Sequence, residues 1–252
     1  MKTKFALLLL LPSLGIGQIS ILDQMKNEVK EEIKKVIPVD LPTSSSSIGN
    51  VDISNGLKEA LNNGIAKQVS KLTATDGFYK NEMVKILLPP ELKKVDQALR
   101  KIGLSLLANK GLLMMNRAAE DAVKESTPIF VDAVKNMSFT DAKNILLGNE
   151  SSATSYLQTS TTTPLYAKFN PVIKNSFVKV GADKVWASII KKYNSLPMVE
   201  KVNPDLTDYT TNKALEGVFK MIAVEEKSIR TDLKSRTSPL LVKVFAMQDK
   251  KP

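Results

Sequence analysis

Residues 207–230 read TDYTTNKALEGVFKMIAVEEKSIR, and the spacing within them decides the fold. Leu215, Val218, Phe219, Ile222 and Ile229 recur at the three- and four-residue steps that bring side chains to one face of an α-helix. A strand would alternate every second residue, and no such alternation is sustained here or elsewhere in the chain. Extending the stripe from Ile222 to Ile229 passes through Glu225 and Glu226, so the same reading that gives a helix also places a carboxylate at the edge of its buried face.

The same period fills the chain from Val51 onward. Leu57, Leu61, Ile65, Val69 and Leu72 make a second amphipathic stripe, closed by the turn signal Asp76-Gly77. The apolar segment Phe78 to Leu88 carries no clear period and stops at Pro89-Pro90. Pro90 suits the first position of a helix through Leu92, Val95, Leu99 and Ile102, with Gly103 as its stop. A long helix is expected from about Leu104 through Leu112, Ala119 and Val123, bent or divided by Pro128 before Phe130 to Met137. Ser138 and Asp141 have capping-box spacing, and Gly148 follows Leu146-Leu147 as a stop. The polar run Ser160 to Thr163 is expected to separate a short helix at Ala153 to Leu157 from one spanning Leu165 to Val180, interrupted at Pro171. Further helices carry Val185, Trp186, Ile189, Ile190 and Tyr193, ending before Pro197, and Leu240, Leu241, Val244 and Phe245. The expectation is an all-α, single-domain multi-helix bundle over residues 51–248 with a flexible N-terminal segment.

That segment has its own reading. Lys2 and Lys4, the apolar run Phe5 to Leu11, then Pro12, Ser13 and the small residues Gly15 and Gly17 have the order of a secretory signal peptide, residues 1–17. The run is much shorter than the roughly 20 residues that span a bilayer, and no later stretch reaches that length, so no transmembrane helix is expected after signal removal. Cleavage after Gly17 would make Gln18 the first mature residue, and the periplasm or the medium the destination. Residues 18–50 combine a Lys- and Glu-rich helix with the linker of Pro38, Pro42 and Ser44 to Ser47. That helix also suits a peripheral hold on anionic membrane surfaces.

Composition removes whole classes of chemistry. The 252 residues hold no cysteine and no histidine. Disulfides, thiolate nucleophiles, the commonest metal ligand and the usual general base near neutral pH are therefore excluded. The net charge of +10 falls to +8 when Lys2 and Lys4 leave with the signal. Its lysines are scattered in pairs such as Lys93-Lys94 and Lys191-Lys192, and export makes nucleic acid an unsuitable partner. Gly56-Leu57-Lys58, Gly64 and Gly103 lack the order of a phosphate loop, and no cofactor is implied.

Carboxylates remain as the candidates. A buried Glu225 or Glu226 needs a cation or several donors; Arg230, one turn beyond Glu226, and Arg117, within Met115-Asn116-Arg117-Ala118-Ala119-Glu120, are the natural partners. The candidate polar cluster is thus Asn116, Arg117, Glu120, Glu225, Glu226 and Arg230. One reading makes it an ion-pair network that fixes helix register. Another makes Glu225 or Glu226 a general acid or base, with Asn116 and Arg117 orienting a substrate. A hard cation held by Glu120, Asp121, Glu225 and Glu226 is the least favoured, since no loop has calcium-ligand spacing, and no metal is assigned. Tyr156, Tyr166, Phe169, Phe177, Trp186 and Tyr193 suit either a pocket lining or the core, with the core favoured.

Several ordered segments resemble a bacterial family catalogued as domain of unknown function 4197. They are Gly56 to Leu61, Asp76-Gly77-Phe78, Met115 to Glu120, Asp141-Ala142 with Ile145 to Gly148, Ala153 to Tyr156, and Asp205 to Leu215 through Glu225-Glu226 and Ile229-Arg230. The resemblance runs from about Val51 to Met247. It implies an exported, single-domain helical protein of Gram-negative bacteria and carries no activity with it. The functional expectation is a non-catalytic binding or interaction module of the cell envelope, open to an apolar ligand or an envelope component. The alternative is a carboxylate-dependent hydrolase acting on an envelope glycan, since that chemistry needs only placed carboxyl groups.

Overall fold

A computed structural model describes residues 49–249, apart from 102, 104, 180, 196, 199 and 204. The expected signal peptide and nearly all of the 18–50 helix and linker lie outside the described residues, as do Ile102, Leu104 and Val180 among the expected helix positions. Nine α-helices and two single-turn 3-10 segments appear among the described residues, and no strand. They are α1 (Asn50–Thr73), α2 (Lys93–Lys101), α3 (Ser105–Val123), α4 (Ser126–Lys135), α5 (Phe139–Leu146), α6 (Ser152–Lys179), α7 (Ala182–Asn194), α8 (Thr207–Thr231) and α9 (Pro239–Asp249). The all-α reading holds.

Two long helices organise the bundle. α6 packs along α8 and α3, while α1 packs against α8, α4, α5 and α9. Their buried stripes follow the apolar spacing of the sequence. Leu57, Leu61, Ile65 and Leu72 of α1 are in the core, as are Leu215, Val218, Phe219, Ile222 and Ile229 of α8. Phe130 of α4 meets Phe219 edge to face, with ring centroids 6.1 Å apart, the arrangement the ring quadrupoles favour. Phe169, Phe177 and Trp186 are also buried, so those aromatic residues serve mainly as core.

The polar run Ser160 to Thr163 does not break the chain into two helices, as the sequence reading expected; α6 is continuous. Its buried positions Ala153, Leu157, Thr161, Leu165, Phe169, Ile173 and Phe177 fall every fourth residue, straight through the polar run. Most of the hydroxyls there turn back to their own helix. Thr159, Ser160, Thr161 and Thr162 donate to the carbonyls of Ser155, Tyr156, Leu157 and Gln158 at 3.0, 2.8, 2.6 and 2.6 Å, so these four groups are satisfied without breaking the helix. Pro164 and Pro171 lie on the exposed face, where water can serve the carbonyls that lose a helical donor.

Pro128 does divide the next pair, though indirectly. The break falls at Lys124 and Glu125, and Pro128 sits in the first turn of α4, where a missing N–H costs nothing. Ser138 and Asp141 form the expected reciprocal cap on α5, each accepting the other's backbone N–H at 3.1 Å.

Between α1 and α2 the chain is irregular, and its course is set by close approach. A Cβ on Gly77 would stand 2.4 Å from the Lys71 carbonyl oxygen, so only glycine lets the chain double back on the end of α1. Asp76 beside it has φ +68°. Phe78 then dives into the core against α8, where a Cβ on Gly217 would come within 2.7 Å of the ring.

Candidate functional site

The six residues singled out from the sequence are described throughout, and the structure sorts them into two groups that do different work. Asn116, Arg117 and Glu120, from α3, hold the irregular segment 76–86. Glu225, Glu226 and Arg230, from α8, hold helix ends. Arg117 pairs with neither Glu225 nor Glu226, contrary to one of the expected pairings.

In the first group, the buried amide of Asn116 clamps the backbone of Ile86 from both sides. Its Oδ1 accepts the Ile86 N–H at 2.8 Å, and its Nδ2 donates to the Ile86 carbonyl at 2.9 Å. The amide thus satisfies both backbone groups of Ile86, in a segment with no strand partner among the described residues. Glu120 Oε1 accepts the N–H groups of Phe78 and Tyr79 at 3.1 and 3.4 Å, and its Oε2 accepts from Arg117 at 2.6 Å. The Arg117 guanidinium also reaches Asp76, bridging both carboxylates at the solvent edge. The hydrogen bond to Glu120 raises the Arg117 pKa, with the charges of Glu120 and Asp76 adding to it. A hydrogen bond from Lys80, reinforced by Arg117, holds Asp76 below the usual carboxylate range.

In the second group, Glu226 acts at a distance on α6. Its Oε1 accepts the Ala153 N–H at 2.9 Å, and its Oε2 accepts both the N–H and the hydroxyl of Thr154 at 2.8 and 2.7 Å. These N–H groups belong to the first turn of α6, which has no helical acceptor for them, and an anion suits that positive end. Arg230 completes the pair at 2.8 Å and performs the opposite task on α5. It donates to the carbonyls of Ile145 and Leu146 at 2.8 and 3.2 Å, the last turn of that helix, and to Gln248 at 3.0 Å. A cation suits that negative end. The i,i+4 spacing visible in the sequence therefore joins the end of α5 to the start of α6.

Glu225 sits apart from this. Its oxygens accept from Lys67 and from the buried Gln68, both at 2.6 Å, tying α8 to α1 where Gly64 lets the two helices close. The crevice beside it, lined by Leu61, Gly64, Ile222, Glu225, Glu226 and Arg230 among others, encloses only about 30 Å³. That is room for about a single water, far below a ligand site of roughly 300 Å³ or more. No group of acidic side chains close enough to hold a metal ion occurs among the described residues.

Sequence reasoning missed Arg236. It is buried, donates to the carbonyls of Ile229 and Arg230 at 3.0 Å, and lies over the Phe245 ring. Its partner Asp249 is held below the usual carboxylate range by the hydrogen bond from Arg236. Neither residue lies in an apolar stripe, so periodicity gives no signal for the pair. Arg236 stands in the loop after α8, and Asp249 thirteen positions on.

Larger spaces lie elsewhere. One, of about 330 Å³, lies at the start of α8 and is lined by Lys174, Phe177, Asp183, Lys184, Trp186 and Asp205 among others. Another, of about 490 Å³, is a groove between residues 83–93 and the first half of α8. Its apolar side is Met83, Val84, Ile86, Leu87, Leu88 and Pro90; Tyr209, Lys213, Glu216, Gly217 and Lys220 face it from α8. The Asn116 clamp and the Glu120 contacts hold the irregular segment that forms the apolar side. The first polar group thereby shapes the groove without entering it.

Comparison with curated proteins and with solved structures gives no match. Residues 47–246 match the family described as Protein of unknown function (DUF4197). That span takes in every described helix through most of α9, and with it both polar groups and the groove. The chain is a member of the DUF4197 family.

Proposed function

We propose that this protein is a non-catalytic binding module of the cell envelope, exported by its N-terminal signal, which takes an apolar ligand into the groove between residues 83–93 and α8. The observation that carries the reading is the contrast between that groove and the buried carboxylates. Glu120 and Glu226 accept hydrogen bonds on both oxygens from groups the fold must satisfy, and the crevice beside Glu225 and Glu226 is too small for a sugar. The groove has the volume of a ligand site and keeps Met83 and Leu87 in solvent. No helix of the described residues is long and apolar enough to cross a membrane.

The test is recovery of the full-length protein from the envelope of its own cells, followed by mass spectrometry of what organic solvent releases. The expected result is an apolar compound that is depleted when Leu87→Asp is recovered in the same way. Hydrolysis of an envelope glycan that disappears in Glu226→Gln would overturn the reading in favour of the enzyme. N-terminal analysis of that sample should find a start at Gln18, within a residue or two. Met1 on the bulk of the folded protein would remove the export step.

A further inference from the structure

We infer that the groove takes a single-chain anionic amphiphile, an acyl chain ending in a carboxylate or phosphate, with the chain on the 83–90 side and the head among lysines. This rests on the binding reading above and adds the chemical class of the ligand. Its apolar floor is fixed rather than induced. Val84 and Ile86 are buried, and Ile86 is held at both backbone groups by Asn116. Above that floor Leu87 is 58 % exposed and Met83 45 % exposed, an apolar lip that no described residue covers.

Charge is distributed to match. Lys85, Lys93, Lys213 and Lys220 line the groove with one acid, Glu216, and Lys85 is paired with Glu82 at 3.6 Å, which leaves the excess on Lys93 and Lys220. Lys213 is bound to Glu216 at 2.6 Å, and Lys220 donates to the Met83 carbonyl at 2.8 Å, which anchors it at the rim. Lys93 makes no ion pair among the described residues. Lys93, Leu87 and Leu88 also line an adjoining depression of about 170 Å³, where Asp96 pairs with Arg100 at 2.8 Å and leaves Lys93 as its unpaired cation among the described residues. An apolar ligand without charge would leave this excess unanswered, and a cationic one would be repelled by it.

The experiment is titration calorimetry of the full-length protein with decanoate, dodecanoate, dodecyl phosphate and dodecyltrimethylammonium, each kept below its micelle concentration. The expected result is one saturable site for the anions, tightening by up to about fourfold for each added methylene that is buried. The cationic amphiphile should bind at least tenfold more weakly. Leu87→Asp should weaken every anion tenfold or more, and Lys93→Gln should weaken the anions by up to about fivefold while leaving the cation equal or tighter. The ratio of dodecanoate to dodecyl phosphate then tells which head the lysines prefer. Equal binding of anion and cation would overturn the anionic assignment and leave the apolar-ligand reading standing. Binding untouched by Leu87→Asp would remove the groove as the site. Absence of saturable binding by any of these amphiphiles would overturn the inference, and the envelope recovery above would then decide the broader reading separately. Attachment only to vesicles of anionic lipid, with no displacement by dodecanoate, would also overturn it, as the mark of a surface contact.

Discussion

Glu226 and Arg230, one turn apart on α8 and 2.8 Å from each other, hold the end of one helix and the beginning of the next: the guanidinium takes the last carbonyls of α5 while the carboxylate takes the first amides of α6. Removing either partner leaves a buried charge and strands backbone groups of a different helix. Glu226→Ala and Arg230→Ala should each destabilise the fold by about 3–5 kcal/mol. The double variant should cost less than the sum, because the second loss no longer leaves an unpaired charge. Urea denaturation of the singles and the double measures this; additive losses would mean that the two residues act independently.

That pair shows where the sequence was legible and where it stopped. Glu226 and Arg230 lie on one helix, so their pairing follows from the apolar stripe and the i,i+4 step. What the pair is for does not follow, because Ala153, Thr154, Ile145 and Leu146 are brought there only by packing. The same holds for Arg117: its residue type made it a candidate partner for Glu226, and the fold gives it Asp76 and Glu120 instead. The Ser160 to Thr163 run read as a break since four hydroxyls in a row suit a loop, yet Thr161 stands in the four-residue stripe from Leu157 to Phe177. The groove was not legible, because its apolar side is an aperiodic segment shaped by side chains far along the chain.

Asn116 and the groove are linked by a second expectation. Asn116→Leu would remove both hydrogen bonds to Ile86 and leave a buried N–H and C=O without partners. A loss of about 2 kcal/mol or more in stability is expected. Hydrogen exchange should show residues 76–88 losing protection well before the centre of α8 does. Uniform loss of protection over the whole domain would mean that the segment is not separately held.

Gly217 offers a test of the packing between that segment and α8. In Gly217→Ala the new methyl would meet Phe78 Cε1 at 2.7 Å, and the buried ring has little freedom to withdraw. The expected cost is about 1–3 kcal/mol, despite the better helix propensity of alanine. A stabilised variant would place Phe78 elsewhere.

Acid should loosen the end of α8. The hydrogen bond from Arg236 lowers the Asp249 pKa in the folded state. A depressed folded pKa stabilises fully above the unfolded value, and that contribution fades as pH falls through the folded one. Asp249→Asn should therefore be less stable than the parent at neutral pH, with the gap closing below about pH 4. Denaturation midpoints across a pH series check the sign; a gap that widens in acid would reverse it.

The most direct measurement is thermal and urea unfolding of Glu226→Gln beside the parent. This carboxylate is spent on the fold. An amide keeps one acceptor and turns an NH2 toward Ala153, Thr154 or Arg230, all of which donate to it now. The predicted result is a loss of about 2 kcal/mol or more. Stability equal to or above that of the parent would mean that the carboxylate is not spent on the fold, since one that is cheaper to replace than to keep is the mark of a group held for chemistry.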